Sequence, residues 1–386
     1  MLTQAENDFF TRVGPGTPAG EWLRRFWHPI APACEVSDDN PTRFVRLLGE
    51  DLVLFKDKRG RVGLIQHRCP HRGASLLFGR VEERGIACAY HGWLYDTQGN
   101  CLETPAEPPD STLRLKVKPQ VYPVQRFIGM YWAYLGPQPA PVIPRYKQWV
   151  EANEKLRITV YPRLDCNWFA ALENALDPAH LQFLHQDSKS GLVPTNTTRG
   201  NTDDVETFDF YETPYGIMKR RFWKNGSVDE HAFNWPTYLT TGWLRTPVDD
   251  EHTLVVVVGA GKSLEKWAGA RPDGVGHVAQ DHAIKRVEME DAIIEYLPPL
   301  KEPANALYPD ATLYFYAPYG QIASQDHLIW ETQGTIVDRT QETLGYSDRG
   351  IIMLRKLLKE NINRVLDGKD PVGVIRDPHH EPIDPT

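Results

Sequence analysis

The stretch CPHRGASLLFGRVEERGIACAYH, residues 69–91, decides the reading of this chain. It opens with Cys69-Pro70-His71, runs sixteen further residues, and closes with Cys88-Ala89-Tyr90-His91. Each end offers one thiolate and one imidazole, in a C-x-H and a C-x₂-H arm. Structural zinc also accepts two cysteines and two histidines, but zinc modules group like ligands, C-x₂₋₄-C and then H-x₃₋₅-H. Mixed arms suit a [2Fe–2S] centre of the Rieske type, in which two cysteines hold one iron and two histidines the other. Neutral imidazoles place less negative charge on such a cluster than thiolates would, so its potential lies above that of an all-cysteine cluster. Gly73, Gly92 and several aromatic residues flank the four ligands. His67, two residues before Cys69, reads as a surface histidine.

Working outward, the arms sit in a run of short β-branched and aromatic segments. RFVRLLG (43–49), DLVLFKD (51–57), VGLIQH (62–67) and RFIGMYWAYLG (126–136) are separated by the turns Asp57-Lys58-Arg59-Gly60 and Thr97-Gln98-Gly99-Asn100. This predicts a small antiparallel β domain over residues 39–140, ended by the proline-rich GPQPAPVIPRY (136–146). Ahead of it, residues 1–38 form an amino-terminal helical segment. Thr3 with Glu6 fits a capping box, and Thr17-Pro18 fits an N-cap followed by proline at the first helical position. Residues 141–386 mix strands and helices. FDFYETPYGIMKRRFWKNG (208–226) reads as a hairpin, HTLVVVVGAG (252–261) as a buried strand, and Ser347–Leu366 as a long helix with Ile351, Leu354, Leu358, Ile362 and Val365 on one face. Strands followed by helices make the fold class α+β.

The second constellation is LENALDPAHLQFLH, residues 172–185. His180 and His185 could supply the imidazoles of a 2-His-1-carboxylate triad for non-haem iron. On a regular helix, positions five apart point roughly 140° away from each other. Both can serve one metal only where the helix ends, bends or bulges, so an irregular helix is expected between them. Asp177 fits an N-cap before Pro178. It also lies three residues before His180, where a metal-bound histidine would donate its second N–H to a carboxylate. The residues alone do not choose the third ligand among Asp281, Asp291, Asp326, Glu331 and Asp338.

Composition bounds the rest. The chain has 386 residues, 41% hydrophobic and 24% charged, with a net charge of -8. No basic stretch suits nucleic acid, no apolar run is long enough to cross a membrane, and no signal peptide opens the sequence. Five cysteines are too few and odd in number for a disulfide framework, which points to the cytoplasm; Cys34, Cys101 and Cys166 read as small buried residues. No G-x-G-x-x-G turn follows a strand, so the chain is not expected to bind NADH.

Taken together, the C-x-H-x₁₆-C-x₂-H arms and D-x₂-H-x₄-H resemble the α (oxygenase) subunit of Rieske non-haem iron aromatic ring-hydroxylating oxygenases, in the phthalate-dioxygenase-like branch. Residues 2–29, 167–185 and 324–348 add to the resemblance, whereas 190–310 show little that matches. The resemblance implies a Rieske domain joined to a helix-grip catalytic domain. It implies a [2Fe–2S] cluster on Cys69, His71, Cys88 and His91, and mononuclear Fe(II) on His180, His185 and, by its Q-D…E…G…D-R pattern, Asp326. It further implies a homotrimer, or a multiple of one, in which Asp177 joins His180 to His91 of the neighbouring subunit. O₂ and a small aromatic substrate would be the reactants, with electrons from a separate NAD(P)H-dependent reductase that could carry a ferredoxin domain. The expected reaction is hydroxylation of an aromatic, preferably carboxylated, substrate. The alternative is a monooxygenase performing O-demethylation or aryl-ether cleavage. Arg220 and Arg221 on the predicted hairpin are the candidate cations for a carboxylate, and strand alternation lets at most one point inward. Two rivals come from other classes. A Rieske electron-transfer protein would hold one type of iron only, and a zinc-stapled β domain on a ligand-binding module would be colourless.

Overall fold

The computed structural model describes residues 1–185, 205–260, 285–297 and 321–384. The chain divides into two units, residues 24–140 and residues 1–23 together with 141–386.

The unit 24–140 is antiparallel β. One four-stranded sheet runs in the order Thr42–Leu47, Glu50–Lys56, Val62–Gln66, Val121–Tyr122, and a second runs Arg80–Glu82, Gly85–Ala87, Leu94–Tyr95, Cys101–Glu103. Asp57 and Asp96 shape two of the turns: each side-chain oxygen accepts backbone N–H groups two and four residues ahead. The segment RFIGMYWAYLG is two strands rather than one. Val124–Phe127 folds back on Met130–Tyr134 through Ile128 and Gly129, which stand at φ 45° and 75°. Their third partner is Trp27–Pro32. The amino-terminal segment expected over 1–38 therefore divides after residue 23: its helices go with the larger unit, and residues 24–38 join the β unit through this pairing. Val53, Phe55, Ile65, Leu76, Ile86, Trp93 and Tyr95 form a core that includes Cys69 and Cys88.

The larger unit is built on a nine-stranded sheet, among the described residues. Its order is Val205–Thr213, Gly216–Trp223, Val228–Asn234, Tyr238–Leu239, Trp243–Pro247, Thr253–Ala260, Leu156–Val160, Ala292–Tyr296, Lys285–Glu288. Every pairing is antiparallel except that of Leu156–Val160 with Ala292–Tyr296. The hairpin read at 208–226 is present, with Thr213 opposite Gly216. The helix Gln321–Thr332 lays Ala323 and Trp330 against Val255 and Val257 of the sheet. The carboxy-terminal helix spans Arg349–Leu366 and buries Leu354, Leu358, Ile362 and Val365, the face its periodicity marks.

Ionic and backbone contacts fix the helix Trp168–Ala175, which leads into the histidine motif. Arg339 is fully buried, and its Nη2 reaches Glu173 Oε2 at 2.7 Å. Arg355 holds the other oxygen of Glu173 at 2.6 Å, and Arg339 Nη1 donates to Asn7 Oδ1 of the first helix at 3.1 Å. Glu6 and Thr3 cap that first helix reciprocally, as the sequence indicates. Gly350 approaches so closely that an added Cβ would stand 2.3 Å from the Leu176 carbonyl oxygen and 2.4 Å from the Phe210 ring. Gly350→Ala must push the turn ahead of Asp177 aside. Overpacking of this kind costs about 1–3 kcal/mol, so the melting temperature should fall by roughly 2–10 °C in a thermal scan. An unchanged melting temperature would mean the contact is soft.

Candidate metal centres

The two mixed arms fold into a matched pair of loops. In the first, the Gly73 N–H donates to Cys69 O and the Cys69 N–H to Ala74 O, both at 2.8 Å. In the second, Gly92 donates to Cys88 O and Cys88 to Trp93 O, both at 2.9 Å. Gly73 and Gly92 stand at φ 73° and 72°, a conformation that an L side chain resists, which explains a glycine at the same step of each loop. The thiols of Cys69 and Cys88 are buried and interact with each other. The rings of His71 and His91 meet edge to face at 4.5 Å between centroids, and His71 stacks on Trp93 at 4.3 Å. Burial, then the neighbouring charges of His71 and Arg72, lowers the pKa of His91, which favours the neutral imidazole a metal requires. His71 Nδ1 is buried and has no hydrogen-bond partner among the described residues. Two adjacent thiols, two adjacent imidazoles and one orphaned ring nitrogen are the donors that a Rieske cluster takes. His67 is half-buried rather than on the surface, bonded through Nε2 to Ser75 Oγ at 2.7 Å and edge-on to Phe44.

Tyr95 was not read from the sequence as part of this centre. Its hydroxyl lies 3.2 Å from Cys69 Sγ and is buried. Burial first, and then the hydrogen bond to Cys69, pushes its pKa up, so the phenol keeps its proton and can donate to sulfur. Hydrogen bonds to cluster sulfurs raise the potential by favouring the more negative, reduced state. If that bond is worth about 1 kcal/mol more in the reduced state, Tyr95→Phe lowers the potential by roughly 45 mV. Potentiometric titration of the cluster EPR signal reads this out, and an unshifted midpoint would remove the role.

The second constellation assembles in the larger unit. His180 begins a one-turn helix, His180–Phe183, and His185 lies two residues beyond its end. The helix therefore stops between the two histidines, as the five-residue spacing requires, and their rings come to 5.2 Å between centroids. The helix Gln321–Thr332 brings Asp326 to them from 141 residues downstream of His185. Asp326 Oδ1 lies 3.1 Å from His185 Nε2 and 3.7 Å from His180 Nε2. Among the described residues, these three form the one group of three or more histidine, cysteine or acidic side chains within metal-binding reach of each other.

On the opposite side of each ring one residue faces Nδ1. His185 Nδ1 lies 2.8 Å from Gln325 Oε1, and His180 Nδ1 is 3.4 Å from Asp177 Oδ2. The Gln325 oxygen calls for a proton on His185 Nδ1, whereas His180 Nδ1 makes no hydrogen bond among the described residues and only faces the Asp177 carboxylate. Burial alone would raise the pKa of Asp326. The hydrogen bond and charge of His185, with the charges of His180 and His327, outweigh it and hold Asp326 below the usual carboxylate range. Asp177 behaves alike, because His180 and the backbone N–H groups of Ala179 and His180 overcome its burial. It also caps the turn, accepting from Ala179 N at 2.8 Å, so its two readings hold together. Asn174 lies between them, with Nδ2 3.3 Å from Asp326 Oδ1 and 3.4 Å from His180 Nε2. Two imidazoles and one ionised carboxylate converging on one point fit the donor set of non-haem iron.

The other candidates are engaged elsewhere. Asp338 is exposed and caps Thr340, Glu331 accepts from Asp165 N at 3.0 Å, and Asp291 lies in the turn between Lys285–Glu288 and Ala292–Tyr296. Asp281 lies outside the described residues. Arg220 pairs with Glu230 at 2.6 Å and lies over Tyr211, while Arg221 pairs with Asp229 and lies over Trp223. The cations expected to meet a carboxylate are thus already bound to acids of the adjoining strand.

The Rieske [2Fe-2S] domain family matches residues 26–125, and the family "LigXa C-terminal domain like" matches residues 293–382. The chain is similar to the 5,5'-dehydrodivanillate O-demethylase oxygenase subunit of Sphingobium sp. (strain SYK-6), 36% identical over 98% of this chain and 84% of that one. It is similar to the phthalate 4,5-dioxygenase oxygenase subunit of Pseudomonas putida, 32% identical over 97% of this chain and 89% of that one. In fold it resembles the solved structure of Pseudomonas putida CBB5 NdmA, with a TM-score of 0.58 at 20% identity, over 94% of this chain and 99% of that one. With relatives at 36% and 32% identity over 98% and 97% of its length, the chain belongs to the Rieske non-haem iron oxygenases as an oxygenase subunit.

Proposed function

We propose that this subunit hydroxylates a small aromatic carboxylate with O₂, using electrons from a separate NAD(P)H-dependent reductase that could carry a ferredoxin domain. Cys69, His71, Cys88 and His91 hold the [2Fe–2S] cluster, and His180, His185 and Asp326 hold the mononuclear iron. The observation that carries this reading is the convergence of His180, His185 and Asp326 on a chain that also has the paired Cys-His loops. A Rieske electron-transfer protein needs only the loops, and a zinc staple accounts for neither the mixed arms nor the triad. The cluster supplies single electrons, and a ferrous ion with open positions supplies the capacity to reduce O₂.

What the protein itself contributes follows from its side chains. Gln325 fixes the ring of His185 through Nδ1, and the Asp177 carboxylate faces Nδ1 of His180 at 3.4 Å. Asn174 steadies the carboxylate of Asp326. Burial of His185 and Asp326 keeps bulk water from their donor atoms. Asp177 joins His180 to His91 of a neighbouring subunit in a homotrimer or a multiple of one, coupling the two centres. The cytoplasm, the compartment that keeps unpaired cysteines reduced, is its site of action.

The choice of an aromatic carboxylate is supported by relatives whose names specify phthalate, phenoxybenzoate and 3-chlorobenzoate as substrates. A monooxygenase reading, O-demethylation or aryl-ether cleavage, is favoured by the O-demethylase relative at 36% identity. One experiment separates them. Reduced holoenzyme is exposed to O₂ with benzoates, phthalates and methoxybenzoates, and the product masses are read. Gain of two oxygen atoms identifies dioxygenation, and release of formaldehyde identifies O-demethylation. Failure to oxidise any aromatic compound would overturn the proposal.

A further inference from the structure

The helix WFAALENA, Trp168–Ala175, has one charged side chain, Glu173, and one amide, Asn174. Neighbouring residues on a helix point about 100° apart, so the two leave the axis in different directions. Asn174 goes to the group of histidines and carboxylate, with Nδ2 3.3 Å from Asp326 Oδ1 and 3.4 Å from His180 Nε2. Glu173 goes to two buried arginines. Arg339 donates Nε at 3.0 Å and Nη2 at 2.7 Å to Oε2, and Arg355 donates Nε at 2.7 Å to Oε1. Each arginine is itself tied elsewhere. Arg339 Nη1 donates to Asn7 Oδ1 of the first helix at 3.1 Å and to Val337 O at 3.3 Å. Arg355, on the carboxy-terminal helix, also holds both oxygens of Glu342.

The other side chains of this helix set its rotation less sharply. Trp168, Phe169, Ala170, Ala171, Leu172 and Ala175 are all buried, so apolar contacts surround most of it. Hydrophobic burial is favourable but not directional, and alanines give a helix little shape to key into its surroundings. Rotation by about 10° carries an atom about 5–6 Å from the axis through roughly 1 Å. A misplacement of roughly 1 Å can cost about 100-fold at a reacting site. Stability is a weak reason for the ion network, because desolvation offsets the attraction of buried charges and an apolar pair of similar volume often does as well. Forked guanidinium-to-carboxylate bonds do define direction.

We propose that Glu173 and Arg339 are positioning residues for the mononuclear site: they lock the rotation of the helix Trp168–Ala175 so that Asn174 meets Asp326. This rests on the assignment of iron to His180, His185 and Asp326 above. Through Asn7, which holds Arg339, the amino-terminal helix is a remote support of the same site.

The test is a cycle of variants read by Fe(II) affinity, in anaerobic competition with a chromophoric ferrous chelator, on protein that keeps its cluster. Glu173→Met with Arg339→Met replaces the pair by apolar side chains and leaves Arg355 to Glu342. The melting temperature should stay within roughly 5 °C of wild type, while Fe(II) affinity falls by about 10-fold or more. Asn174→Ala alone should cost a similar factor. The triple variant should lose no more than about threefold beyond either, because both changes break one interaction. Arg339→Lys keeps the charge without the fork and should lose about threefold or more; it decides the matter if the double variant does not fold. Wild-type affinity in the folded double variant, with or without a lower melting temperature, would reduce the network to a structural brace and overturn the proposal, as would wild-type affinity in Arg339→Lys. Losses that multiply to about 100-fold in the triple variant would also overturn it, since Glu173 would then act independently of Asn174. Wild type that shows the cluster EPR signal yet takes up no Fe(II) would instead sink the iron assignment, and the lock with it.

Discussion

Asp326→Ala is expected to empty the mononuclear site while sparing the cluster. Iron content should fall from about three atoms per chain to about two, the cluster EPR signal should persist, and product formation should vanish. The physical reason is that Asp326 is the one anion of the proposed three ligands, buried and held below the usual carboxylate range by His185 and His180. Alanine leaves two neutral imidazoles, and Asn174 Nδ2 loses its acceptor. Removing a partner that merely orients a ligand costs roughly 10–100-fold in metal affinity, and removing the charged ligand itself must cost more. Full iron content in this variant would mean that another acid completes the site.

Asp177→Asn should have the opposite signature, with both metals retained and turnover reduced by roughly 100-fold or more. Asparagine keeps the size of the side chain and an oxygen for the Ala179 N–H, so the turn ahead of His180 survives. Its amide nitrogen then faces His180 Nδ1, where a carboxylate oxygen stood 3.4 Å away. Two N–H groups meet, and the ring must change tautomer or turn. The negative charge proposed to join His180 to a neighbour's His91 is also lost. Rapid mixing of the reduced variant with O₂ and substrate should show slow reoxidation of the cluster at normal iron content. Reoxidation at the wild-type rate would remove the bridging role.

The two metal motifs were legible because coordination chemistry constrains them locally. Cys69 to His71, Cys88 to His91 and His180 to His185 are short spacings, and each must fold into a loop or helix end that brings its two side chains to one proposed centre. The objection that residues five apart diverge on a helix foretold where the helix His180–Phe183 stops. Asp326 was different. Nothing local distinguished it from Asp291, Glu331 or Asp338; only the family resemblance singled it out, and its helix brings it in from 141 residues away. A like distance hid Gln325, whose partner His185 lies on another element. The strand Trp27–Pro32 was hidden for another reason: its two prolines argue against a strand, and its pairing partner lies about a hundred residues onward.

The matched loops at Cys69–Ala74 and Cys88–Trp93 bear on speed as well as on affinity. Their shape is set by backbone hydrogen bonds and by two left-handed glycines, and the donors are wedged by Trp93 and Tyr95. If these loops hold the proposed cluster, ligands on so stiff a frame would have little room to relax when the charge they surround changes by one unit. A small reorganisation energy would follow, and the barrier to each hop would stay low even when the driving force between donor and acceptor is slight.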